Sequence, residues 1–550
     1  MTPIPLGDSA LVLAFGTTVD DAMRARVRAV AEGIRALALP GVVDVVPAFA
    51  SVAVYHEPIR SGNHAALSAA LSAGFHRWNP VEQALAPRLV EIPVHYGGAA
   101  GPDLEHVARA SEISCDEVVR LHAGADYRVD AIGFAPGFGY LSGLPEKIRV
   151  PRRATPRTRV PTGTVGIGGA QTGVYPLESP GGWNLIGRTT LSMFDATRSD
   201  ASVLQTGDRV KFRPVEEAFV APSPASDASG GIFAPPSALA PDGAVRVVKP
   251  GVLTTIQDLG RTGHRADGVP LSGAADAFAL RLANLLVGNA ENAAALEFAL
   301  VGPELYFARD ALVALTGGEF TGLPGWHPHR IAAGTTLSLG AATRGCRGYL
   351  AVGGGFAVEP VLGSRSTYVR AALGGLHGRA LRAGDVLGVG AATREPRGNW
   401  HLDARLLPAY AAMTELRVIA GAQADEFGAA FFAAEYRISP QSDRMGVRLQ
   451  GTPLGRTAAA AELRSSAVVP GTVQVPPDGQ PIVLMADAQT LGGYPQVAHV
   501  ISADLSLLAQ LRPGGAVRFR EVTLDEAHRL LLARERAVAL LREGLAEKFL

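Results

Sequence analysis

Polar side chains crowd two short segments in the second half of the sequence. Residues 250–264 place Asp258 and Arg261 between glycines, and residues 439–446 contain Arg444. Such a density of polar groups between glycines is more typical of a functional site than of a core. Arginine can hold a carboxylate or stabilise charge that develops on an oxygen. We therefore predict Asp258, Arg261 and Arg444 as catalytic residues, with a structural Asp258–Arg261 ion pair as the alternative.

An aromatic loop in the first half predicts a small-molecule pocket. Residues 133–141 read GFAPGFGYL. Gly137 and the proline fix a tight backbone, while Phe134 and Tyr140 would wall the pocket and Tyr140 would add a phenolic hydroxyl. The alternative is a well-packed corner of a β-barrel.

Two glycine-rich segments follow, GIGGAQTGVYP at 166–176 and SPGGW at 179–183. Backbone amides in such loops can cradle an anion, and a glutamine can bind an amide or a carboxylate. A shared fold could also account for these glycines. The predicted binding residues in these segments are Gln171, Tyr175, Gly181 and Gly182.

An internal repeat links the two halves. Three blocks recur in the same order: VPTGTV (160–165) and VPGTV (469–473), QTGVYP (171–176) and QTLGGYP (489–495), GDRVKF (207–212) and GGAVRF (514–519). Three blocks in order predict two related β-barrels with Gln171 and Gln489 in equivalent places. This adds Gln489 and Tyr494 to the predicted binding residues. Because domain interfaces favour ligand pockets, we expect the site in a cleft between the barrels.

The domains that would position these residues form a mainly β chain with α+β parts. Residues 1–88 predict a small α+β domain, and 89–220 a β-barrel. A stretch rich in Pro, Ser, Ala and Gly at 221–243 predicts a linker. Residues 244–413 predict a further β-rich domain, and 414–550 a second barrel with a C-terminal helix.

Local signals predict individual elements of these domains. Residues 42–55 read as a strand. Capping boxes at Ser114 and Thr523 predict two helix starts. The second of these helices would close the chain, with Leu540 among its apolar positions.

Composition excludes several classes of function. The 550 residues contain 51 Lys plus Arg and 51 Asp plus Glu, which leaves no basic surface for nucleic acid or an anionic membrane. The N-terminus does not resemble a signal peptide and no apolar run is long enough to span a membrane, so we expect a cytoplasmic protein. Two cysteines form neither a disulfide framework nor a zinc cluster, and no metal site is predicted. No P-loop is present, and none of the four lysines lies in a biotin-attachment motif.

The motifs resemble two related families. GFAPGFGYL, VPTGTVGIGGAQTGVYP and SPGGWNLIGRT in the first half resemble allophanate-hydrolase-subunit-1-like (Kip-inhibitor) proteins. PGVLTTIQDLGRTG, GVPLSGAAD, SDRMGVRLQG and QVPPDGQPIVLMADAQTLGGYP in the second half resemble the subunit-2-like (Kip-antagonist) proteins. The resemblance covers nearly the whole chain outside the linker and implies cyclophilin-like barrels.

The resemblance implies a fusion of the B-type and C-type subunits of 5-oxoprolinase. Such an enzyme opens 5-oxoproline to L-glutamate with ATP and needs a separate A-type subunit. The expected partners are therefore the A-type subunit of 5-oxoprolinase, a small-molecule substrate and ATP, without biotin on this chain. The ATP site could lie on the partner.

Two alternatives to this function remain. One is a biotin-dependent carboxyltransferase of the urea carboxylase type, and the other is a kinase-regulating protein of the Kip type. The fusion disfavours the kinase-regulating function, because the inhibitor and its antagonist would be permanently joined in one chain.

Overall fold

The computed structural model describes residues 3–75, 87–215, 245–391, 400–411, 413–457 and 463–549. Within these ranges the chain forms a small α+β unit, a closed barrel, a β-rich unit and a second closed barrel. This confirms the predicted fold class. The predicted linker at 221–243 lies outside the described residues, and the other predicted domain boundaries stay predictions.

The first unit is an antiparallel sheet with helices packed on one face. Asp20 caps the first helix by accepting the amide of Met23 at 2.7 Å. The segment predicted as one strand at 42–55 is a hairpin, because Phe49 takes a positive φ of 52° and reverses the chain. The elements are β1 (Ile4–Pro5), β2 (Ala10–Ala14), α1 (Asp21–Ala36), β3 (Val42–Ala48), β4 (Ser51–His56), α2 (Pro58–Ser61) and α3 (His64–Phe75).

The first barrel closes around seven strands, and β3 joins it edge to edge through Ala48 and Ala131. Ser114 caps the second helix of the barrel through the amide of Glu117, as predicted. The elements are β5 (Leu89–Tyr96), α4 (Leu104–Ala110), α5 (Cys115–Gly124), β6 (Tyr127–Ile132), β7 (Gly139–Ser142), β8 (Arg157–Val160), β9 (Thr164–Gly168), β10 (Gln171–Val174), β11 (Ser179–Gly181), β12 (Asn184–Arg188) and β13 (Arg209–Pro214).

The third unit packs two five-stranded sheets around one core, which includes Val247, Phe298 and Leu350. A buried helix covers the outer side. The elements are β14 (Val245–Lys249), β15 (Leu253–Gln257), α6 (Ala277–Leu286), β16 (Ala295–Ala299), β17 (Glu304–Phe307), β18 (Ala311–Phe320), β19 (Pro328–Ile331), β20 (Thr336–Ser338), β21 (Ala342–Val352), β22 (Phe356–Ala357) and β23 (Val386–Val389).

The second barrel also closes around seven strands and ends in a long helix that returns to the third unit. Thr523 caps this helix through the amide of Glu526, as predicted. The elements are β24 (Met413–Ala420), α7 (Ala430–Ala433), β25 (Tyr436–Ile438), β26 (Gly446–Gln450), β27 (Ser466–Ala467), β28 (Thr472–Gln474), β29 (Ile482–Leu484), β30 (Leu491–Gly492), β31 (Gln496–Val500), α8 (Leu505–Ala509), β32 (Ala516–Glu521) and α9 (Leu524–Ala546).

Strand register shows that the two barrels are copies of one topology. Each closes through one parallel pair, β5 with β13 and β24 with β32. Each contains a bulge at the same place, where β12 meets β9 and β31 meets β28. Tyr127 and Tyr436 each donate a hydroxyl to the carbonyl five residues upstream, at 2.8 and 3.3 Å. The first and third repeat blocks coincide with this register.

None of the described helices combines the length and the apolar composition that crossing a membrane would require.

Candidate functional site

The aromatic loop, residues 133–141, connects β6 to β7. Phe134 and Gly137 take positive φ angles of 67° and 79°. A Cβ on Gly137 would lie 2.7 Å from the carbonyl oxygen of Met193, so the backbone there needs glycine. A left-handed Phe134 is uncommon, and its ring remains partly exposed. The local sequence therefore holds a strained, tight loop at one end of the barrel.

The aromatic rings of this region form one cluster centred on Phe138. Its ring centroid lies 5.2 Å from Phe134, 5.0 Å from Tyr140, 5.5 Å from Tyr175 and 5.6 Å from Trp183. All four contacts are edge-to-face, the arrangement that aromatic quadrupoles favour. The cluster brings together three predicted binding residues, Phe134, Tyr140 and Tyr175.

The same cluster reaches the second barrel. Leu491 packs so closely on Gly133 that an added Cβ would lie 2.5 Å from its Cγ. The hydroxyl of Tyr140 lies 3.5 Å from Oγ of Ser465. The aromatic loop is thus part of the interface between the barrels, and a substrate cleft there stays a prediction.

Both tyrosines of the cluster are neutral hydrogen-bond donors at physiological pH. Burial raises the pKa of Tyr175 to about 12, and burial also raises the pKa of Tyr140. The guanidinium of Arg152 is close enough to oppose both shifts. Two phenols beside one cation can bind a carbonyl or a carboxylate oxygen.

The predicted glycines lie beside these phenols. A Cβ on Gly181 would lie 2.5 Å from the hydroxyl oxygen of Tyr175. The carbonyl of Gly182 accepts the amide of Arg153 at 2.8 Å. Gln171 begins β10 and is partly buried. Glycine at 181 therefore leaves room for the buried hydroxyl of Tyr175, which a side chain there would displace.

The segment 258–276, here called the junction loop, connects the third unit to the other three. Arg265 donates to the carboxylate of Asp44 in the first unit at 2.7 Å, and both side chains are buried. The carbonyl of Asp267 accepts the amide of Gly137 in the aromatic loop at 2.8 Å. The junction loop thus fixes the aromatic loop relative to the second half.

Arg444 joins the second barrel to the third unit through a buried charge network. Its Nε and Nη2 donate to Asp487, both at 2.9 Å, and its Nη1 donates to Glu297. Nη2 also donates to the carbonyl of Gly273, and Ser272 donates to Asp487 at 2.8 Å. Burial opposes the charge on Arg444, but the two carboxylates outweigh burial and raise its pKa. Arg444 has few donors left for a ligand.

Both carboxylate oxygens of Asp258 accept hydrogen bonds from nearby residues. Its Oδ1 accepts the amide of Gly260 at 2.8 Å, the hydroxyl of Ser364 at 2.7 Å and the hydroxyl of Ser366. Its Oδ2 accepts the amide of Arg365 at 2.6 Å. This pattern favours a structural role, and a catalytic role for Asp258 stays a prediction.

Unlike Arg444 and Asp258, Arg261 has buried polar atoms that lack hydrogen-bond partners in the described part of the chain. It is 1% exposed, and its Nη2 donates to the carbonyl of Ser366 at 2.5 Å. Nε and Nη1 are buried and have no hydrogen-bond partner among the described residues. Arg261 takes part in none of the ion pairs among the described residues, so the alternative Asp258–Arg261 pair does not form. Burial lowers the pKa of Arg261, and the more distant charge of Asp258 opposes this shift. Buried donors without partners are costly, which marks Arg261 as able to bind an anion.

The two remaining predicted residues lie elsewhere on the second barrel. Gln489 lines a small cavity with Arg265 and Leu271, and Tyr494 is 47% exposed. The predicted equivalence of Gln171 and Gln489 is wrong. Val174 pairs with Val165 in the first barrel, and Val483 pairs with Val473 in the second. Val165 and Val473 occupy the same place in the first repeat block, so Val174 corresponds to Val483. Counting back three residues, Gln171 corresponds to Gln480. The middle repeat block falls on β10 in one barrel but after β29 in the other.

Sequence reasoning missed the partners that hold this centre together. Asp487 and Glu297 bind Arg444, and Asp44 binds Arg265, across gaps of 43, 147 and 221 residues. Asp487 lies inside the segment MADAQT, so its polarity in an apolar stretch was the one available signal. Among the described residues, no group of three or more His, Cys, Asp or Glu is arranged to hold a metal ion.

Comparison with known families assigns both halves. Residues 1–204 match the family described as carboxyltransferase domain, subdomain C and D. Residues 267–521 match the family described as carboxyltransferase domain, subdomain A and B.

Individual relatives align with one half each. The 5-oxoprolinase B subunit of Bacillus subtilis is 40% identical over 222 residues, 38% of this chain and 92% of the relative. The 5-oxoprolinase C subunit of Escherichia coli is 42% identical over 297 residues, 52% of this chain and 93% of the relative. The urea amidolyase of Saccharomyces cerevisiae is 30% identical over 324 residues, 54% of this chain but 17% of the relative.

Solved structures match nearly the whole chain. The crystal structure of TTHA0988 has a TM-score of 0.80 at 37% identity, and the match covers 93% of this chain and 99% of that chain. The arrangement of the two halves described above is therefore shared with another single chain.

Proposed function

Because the chain belongs to the family of the B-type and C-type subunits of 5-oxoprolinase, as a fusion of the two, we propose that it forms that part of an ATP-dependent 5-oxoprolinase. The supporting observation is that one chain matches 92% of a separate B-type protein and 93% of a separate C-type protein, in that order. The complete enzyme would open 5-oxoproline to L-glutamate together with an A-type subunit. Since it consumes ATP, we expect it in the cytoplasm.

The proposed reaction must overcome the low reactivity of a lactam. The γ-phosphoryl group of ATP passes to the lactam oxygen and ADP leaves. A first water then adds to the activated carbon, and the bond from this carbon to the ring nitrogen breaks, so that the nitrogen becomes the amine of glutamate and an acyl phosphate remains. A second water hydrolyses the acyl phosphate to the carboxylate and phosphate. Such a site needs a donor for the substrate carboxylate and donors for charge that develops on oxygen.

Arg261 is our proposed anchor for the substrate carboxylate. Its two buried N–H donors without described partners, on Nε and Nη1, support this, since either of them could donate to a carboxylate oxygen. The neutral phenols of Tyr140 and Tyr175 are the proposed donors on the other wall, beside Phe134, Gln171 and the Gly137, Gly181 and Gly182 backbone. Gln489 and Tyr494 stay proposed contacts on the second barrel.

Asp258 and Arg444 are better proposed as positioning residues. Asp258 binds the hydroxyl of Ser366, whose carbonyl accepts from Arg261. Arg444 binds Asp487, which in turn holds Ser272 of the junction loop. Each would orient the segment that carries Arg261 without touching the substrate.

Reconstitution tests the proposed function. The purified chain by itself should show no 5-oxoproline-dependent ATP hydrolysis, and addition of an A-type subunit should produce ATP hydrolysis with release of glutamate. Robust turnover by the chain by itself would overturn the proposal. So would a lack of turnover with an A-type subunit that is active when it is combined with separate B-type and C-type subunits.

A carboxyltransferase of the urea carboxylase type is the second candidate, favoured by the family descriptions and by the match to urea amidolyase. It would need a biotin carrier and a biotin carboxylase from other chains. The test is transfer of a carboxyl group from carboxybiotin to urea, with intact mass to check for biotin on this chain. Carboxylation of urea without any effect of 5-oxoproline would favour this candidate.

A further inference from the structure

A second cleft lies between the third unit and the second barrel. Its volume is about 740 Å³, which lies within the range of small-molecule sites. Three arginines line it: Arg344 from β21, Arg437 from β25 and Arg512 from the turn before β32. No described lining residue is a carboxylate. We call this feature the arginine cleft.

Each guanidinium is held in place by a backbone carbonyl from the facing wall or the neighbouring turn. Arg344 donates to the carbonyl of Tyr410 at 3.3 Å. Arg437 donates to the carbonyl of Gly514 at 3.2 Å, and Arg512 to the carbonyl of Thr343 at 3.2 Å. A guanidinium carries five N–H donors, so most donors of all three remain for a ligand.

Nearby acids compensate these charges only weakly. Glu319 accepts from Arg344 at a long 3.4 Å, and Glu435 lies 4.0 Å from Arg437. Glu435 is shared with Arg518, which it contacts at 3.0 Å. Three cations around a concave surface without lining carboxylates make a region of positive potential, which attracts a multiply charged anion.

The rest of the wall is less polar. Leu507, Leu511 and the ring of Tyr410 lie beside the arginines. The hydroxyl of Tyr410 is buried and has no hydrogen-bond partner among the described residues. The arginine cleft thus combines three cations with an apolar surface and one unsatisfied donor.

We propose that the arginine cleft binds the phosphate chain of a small molecule, a di- or triphosphate. Arginine matches phosphate oxygens in bidentate geometry, and three arginines match the charge of a short phosphate chain. The source is either a nucleotide, whose base would lie on the apolar wall, or free pyrophosphate. Identification with the ATP of the proposed reaction rests on the proposed function, whereas phosphate binding itself rests on the cleft.

Calorimetric titration of the full chain, without its A-type partner, tests the proposal. ATP and inorganic pyrophosphate are titrated separately at low ionic strength, without magnesium so that each anion keeps its full charge. We expect binding that weakens with added salt. Arg437→Gln and Arg512→Gln should each weaken it about tenfold, the loss of one charge-assisted contact. Arg520→Gln is the matched control, because Arg520 is an exposed arginine on β32 that pairs with Glu415 outside the cleft.

Each outcome separates the sources. Binding of both ligands supports a phosphate-chain site, ATP alone identifies a nucleotide, and pyrophosphate alone identifies an inorganic ligand. No binding of either, or binding that Arg437→Gln and Arg512→Gln leave unchanged, overturns the proposal. If these variants instead weaken only the association with the A-type partner, the cleft is a protein contact and the proposal fails. Normal reconstituted activity in such variants would leave the proposed function intact.

Discussion

Arg444 donates two parallel hydrogen bonds to the carboxylate of Asp487, from Nε to Oδ2 and from Nη2 to Oδ1, both 2.9 Å long. The same guanidinium reaches Glu297 on β16, so one side chain bridges two buried carboxylates from different units. Removing one member of such a network leaves the others charged and unpaired in the interior. The sequence predicts both Arg444 and Arg261 as catalytic residues. Loss of Arg444 should mainly reduce stability, whereas loss of Arg261 should mainly reduce substrate binding.

For Arg444→Ala we predict a large loss of stability. The free energy of unfolding should fall by about 3–5 kcal/mol, as for other buried ion pairs that lose one partner. Activity per folded molecule of the reconstituted enzyme should fall less than in Arg261→Met, because Arg444 orients the junction loop without touching the substrate. Denaturant titration combined with activity per folded molecule checks this.

Asp443→Ala is the comparison for Arg444→Ala. The carboxylate of Asp443 is largely exposed, caps the amides of Met445 and Gly446, and lies 3.9 Å from Arg370, so stability should change little. Equal stability of both variants would contradict the prediction.

Arg261→Met should have the opposite profile. Methionine has a similar length. The substitution loses the hydrogen bond to the carbonyl of Ser366 but also removes two buried donors that lack described partners. Because these effects oppose each other, the free energy of unfolding should change by no more than about 1 kcal/mol. The reconstituted enzyme should lose its carboxylate anchor, and KM for 5-oxoproline should rise at least about tenfold. Melting curves and steady-state kinetics measure the two effects. Arg246→Met removes an exposed arginine that packs on Tyr306 and serves as control. Unchanged kinetics in Arg261→Met would remove Arg261 from the site.

We predict that the stability of the first barrel decreases at acidic pH because of His122. It lies buried between the hydroxyls of Tyr96, at 2.8 Å, and Thr172, at 3.0 Å, and burial lowers its pKa to about 3 from 6.5. Between these two values the unfolded chain binds a proton that the folded chain does not, so stability falls as the pH falls below 6.5. The slope from this residue should be about 1.4 kcal/mol per pH unit.

Denaturant titrations at several pH values measure that slope. His122→Gln, which can still donate and accept, should remove about one proton from the pH dependence between about pH 6 and 4. His106→Gln is the control, because His106 is exposed on α4. Parallel curves for the wild type and His122→Gln would show that the barrel does not sense protonation of His122.

The repeated barrels could be predicted from the sequence because local patterns specify them. Glycine, proline and alternating apolar residues recur in both halves, and the capping boxes at Ser114 and Thr523 form as expected. Prediction failed where two similar sequence segments occupy different places in the two barrels, as for the segments that contain Gln171 and Gln489. Leu540, predicted to be part of the apolar face of the last helix, is 69% exposed, because α9 contacts the protein along only one narrow side.

The sequence predicts which residues belong to the candidate site, but it does not indicate what each of them contacts. Whether an arginine is saturated or free depends on partners far away in sequence: Arg444 meets Glu297 across 147 residues, whereas Arg261 meets no described carboxylate. Composition and spacing carry no information on such long-range pairing, since it is set by how the four units pack around the junction loop.

The contact between Gly133 and Leu491 leads to a last prediction, on the interface of the two halves. If residues 1–220 and 244–550 are produced together as separate chains, they should form a stable 1:1 complex, because the Asp44–Arg265 pair and the aromatic cluster both cross between them. Gly133→Ala should weaken this complex, since its Cβ would lie 2.5 Å from Cγ of Leu491 and would force the barrels apart. Gly124→Ala is the matched control, because a Cβ there meets no atom within 4 Å. Analytical ultracentrifugation should show a complex for the wild type and for Gly124→Ala and partial dissociation for Gly133→Ala. A complex of equal affinity in all three would mean that the aromatic loop does not determine how the halves associate, and the proposed cleft between the barrels would lose its main support.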